Sequence, residues 1–415
     1  MRVLVLGAGV VGVTTAYYLA REGHEVHVVD AATGVGTDAT AGNAGLIAPG
    51  HSFAWASPRA PGMLLRSLLG QQTAIRVKLK PDPELYAWGL RFLRECTAER
   101  AVRNTLVKLR LCQYSQRCLN ELAAEENLDY HQINNGVLYL YRDPQELEAG
   151  AKRMALLAEH GQKQEVLDAD GVVRLEPALE PVKHKFAGAV YAPTDASGDA
   201  QVFSQKLAKV CERLGVTFEL GRRVRAFMAD GDEVTGVVTD VGILRADQYV
   251  LSLGVGSPKV ARTIGVKLPI YPAKGYSVTF PTGEGYSPPT IGGVDEQTLV
   301  AWSRQGGGLR FTSTAEFAGY DRGWGPSDFS NILRIARDLF PDAADYTRGR
   351  CRSCLRPMTP DGPPVIGLGP HRNLWYNTGH GHMGWTMACG SSRALADLMA
   401  GRAPEIDLSG NEYRW

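Results

Sequence analysis

No run of the 415-residue sequence approaches the roughly 18 consecutive apolar residues that a membrane-spanning helix needs. Neither sign of charge is in excess: 45 Lys and Arg face 44 Asp and Glu. A chain this balanced has no overall field to draw in nucleic acid or an anionic membrane, which leaves local patches as the only electrostatic route to either. Cysteines are few, odd in number at seven, and lack the spacing of a disulfide framework, so a reduced, cytoplasmic interior is expected. The opening "MRVLVLGAG" has no basic leader and no cleavage site and passes at once into a strand, so no signal peptide is expected. Internal repeats and low-complexity segments are absent too. What the chain does have is 44% apolar residues and 47 glycines, the make-up of a globular α/β enzyme, at a length that suits two domains.

The most informative stretch is "RVLVLGAGVVGVTTAYYLAREGHEVHVVD". Val3–Leu6 reads as a buried parallel strand, Val13–Arg21 as a helix ending at Gly23, and Val26–Val29 as a second strand closing on Asp30. Between strand and helix lies G-x-G-x-x-G. Gly7 permits the tight turn, Gly9 lets the backbone approach a pyrophosphate beside Val11, and Gly12 packs helix on strand. The helix N-terminus stabilises phosphate charge, and Asp30, next to Ala31, stands where a carboxylate accepts hydrogen bonds from ribose hydroxyls. A dinucleotide site follows. The next loop, "AATGVGTDATAGNAGLIAPG", is rich in small residues: Thr40, Ala41, Asn43, Ala44, Gly45 and Leu46. A regular nicotinamide-binding unit continues with further βα repeats. A long small-residue loop instead suits backbone amides running along an extended flavin.

Farther along, residues 84–128 read as helical, 136–141 as a strand, 143–160 as a charged helix and 202–214 as another helix. "VTFELGRRVRAF" is a strand, a turn and a strand, and the turn makes the backbone of Val224 a candidate contact near the adenine. "ADQYVLSLGVGS" is a buried strand ending in Ser252, Gly254 and Gly256, small enough to pass close to the dinucleotide. Residues 272–281 and 298–314 alternate like antiparallel strands. Near the end, "GHGHMGWTMACG" sets a second glycine-rich turn, Gly379 to Gly384, before a helix.

Six motifs, in order, carry a resemblance: "VLGAGVVGVTTAYYLAREGHEVHVVD", "AGNAGLIAPG", "PAKGYS", "TAEFAG", "LRPMTPDGPPVIG" and "NTGHGHMGWTMACGS". They resemble the D-amino acid dehydrogenase family, part of the group of FAD-dependent amine oxidoreductases that includes D-amino acid oxidase, glycine oxidase and sarcosine oxidase. The resemblance runs from Met1 to about Ile406. It implies an α/β (α+β overall), D-amino acid oxidase-like fold. In that fold a Rossmann-like FAD-binding domain (1–80, 187–268, 345–415) interleaves with a substrate domain (81–186, 269–344) on a mixed or antiparallel sheet. It also implies FAD and oxidation of an amino acid to an imino acid, which hydrolyses to a 2-oxo acid and ammonia. Electrons then pass to a respiratory acceptor, commonly a membrane quinone. Two other readings stay open: an oxygen-using oxidase of the glycine, sarcosine or D-amino acid type, and the flavin subunit of a heteromeric dehydrogenase. Oligomeric state is open as well.

A flavin supplies the redox chemistry, so the protein must hold Cα–H over it and orient the substrate. A zwitterion's carboxylate calls for the planar, permanently charged fork of arginine. Arg356 in "CLRPMTPDG" matches the family arginine that pairs with the substrate carboxylate, and Arg310 in "GLRFTS" is a second candidate. Tyr276 in "KGYS" offers a hydroxyl to the carboxylate or amine. No general base stands out; His51 and His382 are the histidines expected near the ring. His380 reads as structural, and Gly381, Met383 and Gly384 complete the turn expected to carry the last helix toward the isoalloxazine, where its N-terminus favours negative charge. A metal is not expected, because no cysteine or carboxylate accompanies His380 and His382. Cys354 sits at the spacing before Thr359 at which sarcosine oxidases attach flavin covalently, whereas Leu355-Arg356-Pro357 follows the dehydrogenase branch, where the flavin is usually not attached. His382-Met383 replaces the Thr-Leu of the closer dehydrogenases, which leaves the substrate open and keeps D-proline or a hydroxyproline among the choices. The stretch 53–80 mixes Trp55, a leucine-rich patch, Arg66, Arg76, Lys78 and Lys80. It reads either as a loop and helix packed on the domain or as a contact with the inner face of the cytoplasmic membrane.

Overall fold

The computed structural model describes residues 1–68, 75–78 and 80–414; part of the leucine-rich stretch, 69–74, and Leu79 fall outside them. Val3–Leu6 forms the middle of a six-stranded sheet because a continuous apolar run can be buried on both faces only in such a place. The order across the sheet is Val365–Leu368, Leu374–Thr378, Gln248–Leu251, Arg2–Leu6, Glu25–Asp30 and Thr217–Leu220. Every neighbour pair is parallel except the first, which is antiparallel. The chain runs to one side of Arg2–Leu6 through Glu25–Asp30 and returns on the other side as Gln248–Leu251. The carboxyl ends of these central strands therefore open a crevice at a topological switch point, where α/β sheets bind ligands.

One face of this sheet is covered by the helices Val10–Arg21, Ala200–Arg213 and Gly384–Met399, with Ala98–Glu125 packed outside the last. The last helix approaches Ala98–Glu125 closely: a Cβ on Gly390 would lie 2.7 Å from Ser115 Cα. The Gly390 N–H donates to Ser115 Oγ at 3.0 Å. On the other face lies a three-stranded meander, Val224–Asp230, Glu233–Thr239 and Gly242–Leu244. "VTFELGRRVRAF" is thus strand, turn and strand, but its strands belong to different sheets.

The larger sheet has nine strands and is mostly antiparallel. Arg350–Met358 lies at its edge, followed by Tyr271–Pro281, Gly308–Phe317, Val300–Gln305, Gly292–Asp295, Val137–Tyr141, Gly188–Ala192 and Glu165–Asp168, with Ile75–Val77 against Gly308–Phe317. Gly188–Ala192, Arg350–Met358 and Ile75–Val77 thus pair in the larger sheet although they come from segments expected with the dinucleotide part. The helical stretch 84–128 consists of two helices, Pro83–Glu95 and Ala98–Glu125. Thr97 caps the second by accepting from the Arg100 N–H, and that cap stops the first. Among the described residues no helix is long and apolar enough to cross a membrane.

Candidate functional site

A cavity of about 1230 Å³ lies between the two sheets and runs from the first glycine turn to the last. At one end the backbone of "GAG" is shaped by contacts that only glycine allows. Gly7 has φ +115°, and a Cβ there would lie 2.5 Å from Ser252 O; a Cβ on Gly12 would lie 1.8 Å from Gly7 O. These two glycines lie beneath the cavity and shape it, while Gly9 and Val11 form its wall. Asp30 accepts from the Ala8 N–H and the Ala32 N–H, both at 2.7 Å, and its remaining lone pairs are available for hydroxyl donors. Ala31, Thr40, Asn43, Ala44, Leu46, Val224, Ser252 and Gly254 also line the cavity. Thr40 Oγ1 accepts from Val10 N–H at 3.0 Å, tying the small-residue loop to the first helix. Ser252 Oγ is buried with no partner among the described residues, as a wall awaiting a polar ligand would be.

Ala41 and Gly45, expected as direct contacts, are not at the cavity wall. Ala41 is buried behind it, and Gly45, at φ +75°, turns the loop against Ser303 and Gln305. Arg310 is likewise behind the wall. Its guanidinium donates to Thr279 Oγ1 at 2.9 Å, Ala41 O at 3.0 Å and Asn43 O at 3.3 Å, so it braces the small-residue loop. Burial draws it down to about 10.

At the other end, Gly379, His380, Gly381, His382, Met383 and Gly384 all line the cavity, and the helix Gly384–Met399 starts there without a side-chain cap. Gly379 and Gly381 have φ +81° and +58°, so the turn needs glycine twice. His380 is buried with Nε2 2.9 Å from Ser391 Oγ, and burial pushes it down to about 3, in keeping with a structural residue. His382 stacks on Trp55, ring centroids 4.7 Å apart.

Arg356 stands half-buried at the cavity wall. Its Nη1 donates to Thr314 O at 2.9 Å, and no carboxylate among the described residues pairs with it. Burial lowers it from its usual value, the mark of a guanidinium short of an anion. Its flat face lies on Gly275, where a Cβ would sit 2.4 Å from Nη2. Thr314 adopts φ +66°, strained for a β-branched residue, opposite a register shift between Lys274 and Tyr276. Cys354, laterally paired with Gly275, also lines the cavity. Its thiol lies 3.8 Å from Gly42 O, and burial raises it above the usual thiol value, which keeps it protonated. Tyr276 is elsewhere. It alternates to the opposite face of its strand, pairs laterally with Ser353 and packs edge-on against Phe329 in the core of the larger sheet.

His51 is at the wall, with partners the sequence did not disclose. Its Nε2 lies 2.9 Å from Glu296 Oε1, and Glu296 Oε2 accepts from Arg153 at 3.1 Å. Burial works to raise Glu296, but His51 and Arg153 outweigh it and hold the carboxyl below its usual value. Arg153 lies over the Phe53 ring at 5.1 Å. Arg322 and Asp38, also lining the cavity, form a two-pronged pair at 2.5 and 2.8 Å. His51, Arg153 and Glu296 come from three distant segments, and no local motif announces them. No cluster of His, Cys, Asp and Glu suited to a metal occurs among the described residues.

Two glycine turns, an acidic residue after the second strand and a long cavity joining them suit an extended dinucleotide. Residues 2–398 match the family model DAO, FAD dependent oxidoreductase. The chain belongs to this family of FAD-dependent oxidoreductases. It is 47% identical over 414 residues to "D-amino acid dehydrogenase 2" of Mesorhizobium japonicum, covering 100% of both chains. It is also 43% identical over 411 residues to "D-amino acid dehydrogenase" of Paramagnetospirillum magneticum, covering 99% of this chain and 97% of that one. Among solved structures, glycine oxidase from Geobacillus kaustophilus matches with a TM-score of 0.78 at 20% identity, covering 100% of this chain and 98% of that one. L-proline dehydrogenase from P. horikoshii matches at 0.75 and 17% identity, covering 99% and 96%. These two likenesses establish the fold of the FAD-dependent oxidoreductase.

Proposed function

We propose that the protein oxidises D-amino acids, with Arg356 holding the substrate carboxylate, and passes the electrons to a quinone or similar carrier. The observation that carries this reading is a guanidinium facing the cavity with no carboxylate partner among the described residues, fixed by Thr314 O and seated on Gly275. An arginine so placed binds an anionic, planar group two-pronged. The full-length relatives named D-amino acid dehydrogenase support the D-enantiomer. FAD supplies the hydride acceptor. The first glycine turn and Asp30 would hold its pyrophosphate and ribose, and the small-residue loop would lie along it, braced by Arg310. Gly379–Gly384 would set the amide-rich start of the last helix beside the ring, an environment that favours negative charge. Trp55 and His382 narrow the cavity and exclude water from Cα. The buried, protonated Cys354 supports noncovalent flavin. Interleaving of an FAD-binding part with a substrate-binding part is the division of labour we assign to the two sheets.

For the acceptor, a solvent-facing apolar stripe on the helix Pro83–Glu95, Tyr86, Leu90 and Leu93, together with exposed Leu65 on Ala60–Leu68, supports peripheral contact with a membrane surface. Met63 of Ala60–Leu68 lines the cavity, so such contact would bring this part of the cavity wall close to a lipid-borne quinone.

The test is a panel of D- and L-amino acids, glycine, sarcosine and prolines, offered to the purified yellow protein with a dye acceptor while peroxide is measured. Dye reduction with D-amino acids and little peroxide is expected. Peroxide produced in step with substrate would make the protein an oxidase, and no turnover of any D-amino acid would overturn the reading.

A further inference from the structure

Oxidation of an amino acid requires its ammonium group to lose a proton before the hydride departs, and among the described residues the main cavity offers no unengaged carboxylate to take it. Of the carboxylates that line it, Glu296 is held by His51 and Arg153, Asp38 by Arg322, and Asp30 by two backbone N–H groups. Behind the wall, however, lies a lysine whose situation is otherwise unexplained. Lys108, on the helix Ala98–Glu125, is 1% exposed. Its Nζ donates to Phe53 O at 2.8 Å, and no carboxylate among the described residues lies within ion-pair distance of it. An ammonium buried without a counter-ion is strongly unfavourable, whereas a neutral amine is not.

Lys108 lines a second, small cavity of about 10 Å³, on the order of the space one water occupies. His382 and Trp55 line both this cavity and the main one, so the imidazole stands in the partition between them. His382 Nε2 is buried with no hydrogen-bond partner among the described residues.

We propose that His382 and Lys108 form a proton exit from the main cavity, in which the imidazole relays the substrate's ammonium proton to the free amine of Lys108, directly or through one water in the small cavity. The substrate N–H bond breaks and an N–H bond forms on Lys108. The imidazole accepts a proton on one nitrogen and gives one from the other, so its own charge is unchanged, and no electrons are transferred. Lys108 returns the proton to bulk water after turnover. The proposal rests on the reading of the site as one that oxidises amino acids.

The surrounding charges fit these roles. Burial first, then the charges of Lys108, His51 and Arg356, hold His382 well below the usual histidine value, so it stays neutral and relays rather than stores. Burial brings Lys108 down to about 8. Its titratable neighbour one turn along the helix, Cys112, is pushed up by burial to about 12 and stays neutral. Among the described residues, Lys108 also faces the Phe53 carbonyl and, across the small cavity, His382 and the uncharged Thr359. An acceptor must be unprotonated, so substrate oxidation rises as pH passes upward through about 8.

The experiment compares kcat/KM against pH for the flavin-loaded wild type and Lys108→Met, using two D-amino acids whose ammonium groups differ in acidity. In the wild type a limb near 8 is expected with both substrates. In Lys108→Met the limb is expected to vanish, and kcat/KM above it to fall at least about tenfold. Thermal unfolding is expected to show a folded variant of similar stability, because relief of a buried, uncompensated amine offsets the loss of the donor to Phe53 O. His382→Phe preserves the stack on Trp55 and is expected to remove the same limb, and the double variant to lose no more than either single one. If Lys108→Met does not fold, His382→Phe decides. A folded Lys108→Met enzyme that keeps the limb and the activity overturns the relay. A wild type that oxidises no amino acid overturns the reading of the site instead.

Discussion

Gly275→Ala adds one methyl group at the place where the Arg356 guanidinium rests. The new Cβ would lie 2.4 Å from Nη2, 2.6 Å from Cζ and 2.9 Å from Nε, where ordinary contact needs 3.4–4 Å. The guanidinium must therefore shift by roughly 1 Å, enough to break a two-pronged pair with a carboxylate and the 2.9 Å bond to Thr314 O. Hydrogen bonds to charged groups contribute about 1.5–3 kcal/mol, so losing one raises KM roughly 10- to 150-fold. The backbone of Gly275 is extended, and alanine suits a strand at least as well as glycine, so the cost falls on the arginine rather than on the fold. Steady-state kinetics with a dye acceptor, flavin content and thermal unfolding together isolate the effect: KM is expected to rise far more than kcat falls, at unchanged FAD occupancy. A KM within about twofold of wild type would refute the seating of Arg356 on Gly275 and its role in holding the carboxylate.

Three further outcomes follow from the same geometry. Arg310→Met leaves Ala41 O and Asn43 O, both part-buried, without their donor, at up to about 1–3 kcal/mol each. FAD affinity, read by the fluorescence of released flavin, is expected to fall at least about tenfold; unchanged affinity would contradict the brace. Asp195 is raised to about 7 by burial, against the opposing pull of the Tyr139 hydroxyl, the Gly50 N–H and Gln162. Because this acid is raised on folding, its contribution to stability is full below about pH 4 and is lost as pH rises through about 7, a change of order ~4 kcal/mol. Denaturant unfolding of Asp195→Asn across that window is expected to show a flatter pH dependence than wild type. Acid precipitation is expected to leave a colourless pellet and a yellow supernatant, because Cys354 is a buried protonated thiol; a yellow pellet would show covalent flavin.

The parts of the site legible in the sequence are those whose chemistry is local. Gly7, Gly9, Gly12 and Asp30 sit within one βαβ unit, and their spacing alone implies the turn, the helix and the acidic strand end. Gly379–Gly384 is equally local, and both turns meet the same cavity. Arg356 was legible through its family motif, but its seat on Gly275 was not, since that contact depends on the pairing of two strands far apart in the chain. Tyr276 shows how narrowly such readings turn: successive strand residues face opposite sides, so Gly275 carries the Arg356 guanidinium and its neighbour enters the core. Arg310 also reads as a charge at the site and is one shell away, because nothing in "GLRFTS" tells whether the fork meets a ligand or a loop's carbonyls. His51, Glu296 and Arg153 are joined only by tertiary packing, and Lys108 looks in sequence like any helical lysine.

The central claim is that this FAD-dependent oxidoreductase takes hydride from D-amino acids held by Arg356. The most direct measurement is anaerobic addition of D- and then L-amino acids to the purified yellow protein, in wild type and in Arg356→Met. Rapid bleaching of the wild-type flavin by D-amino acids alone, with a weakened response in Arg356→Met, is the predicted result. A flavin that stays yellow with every D-amino acid, or that bleaches equally well without Arg356, would contradict the account.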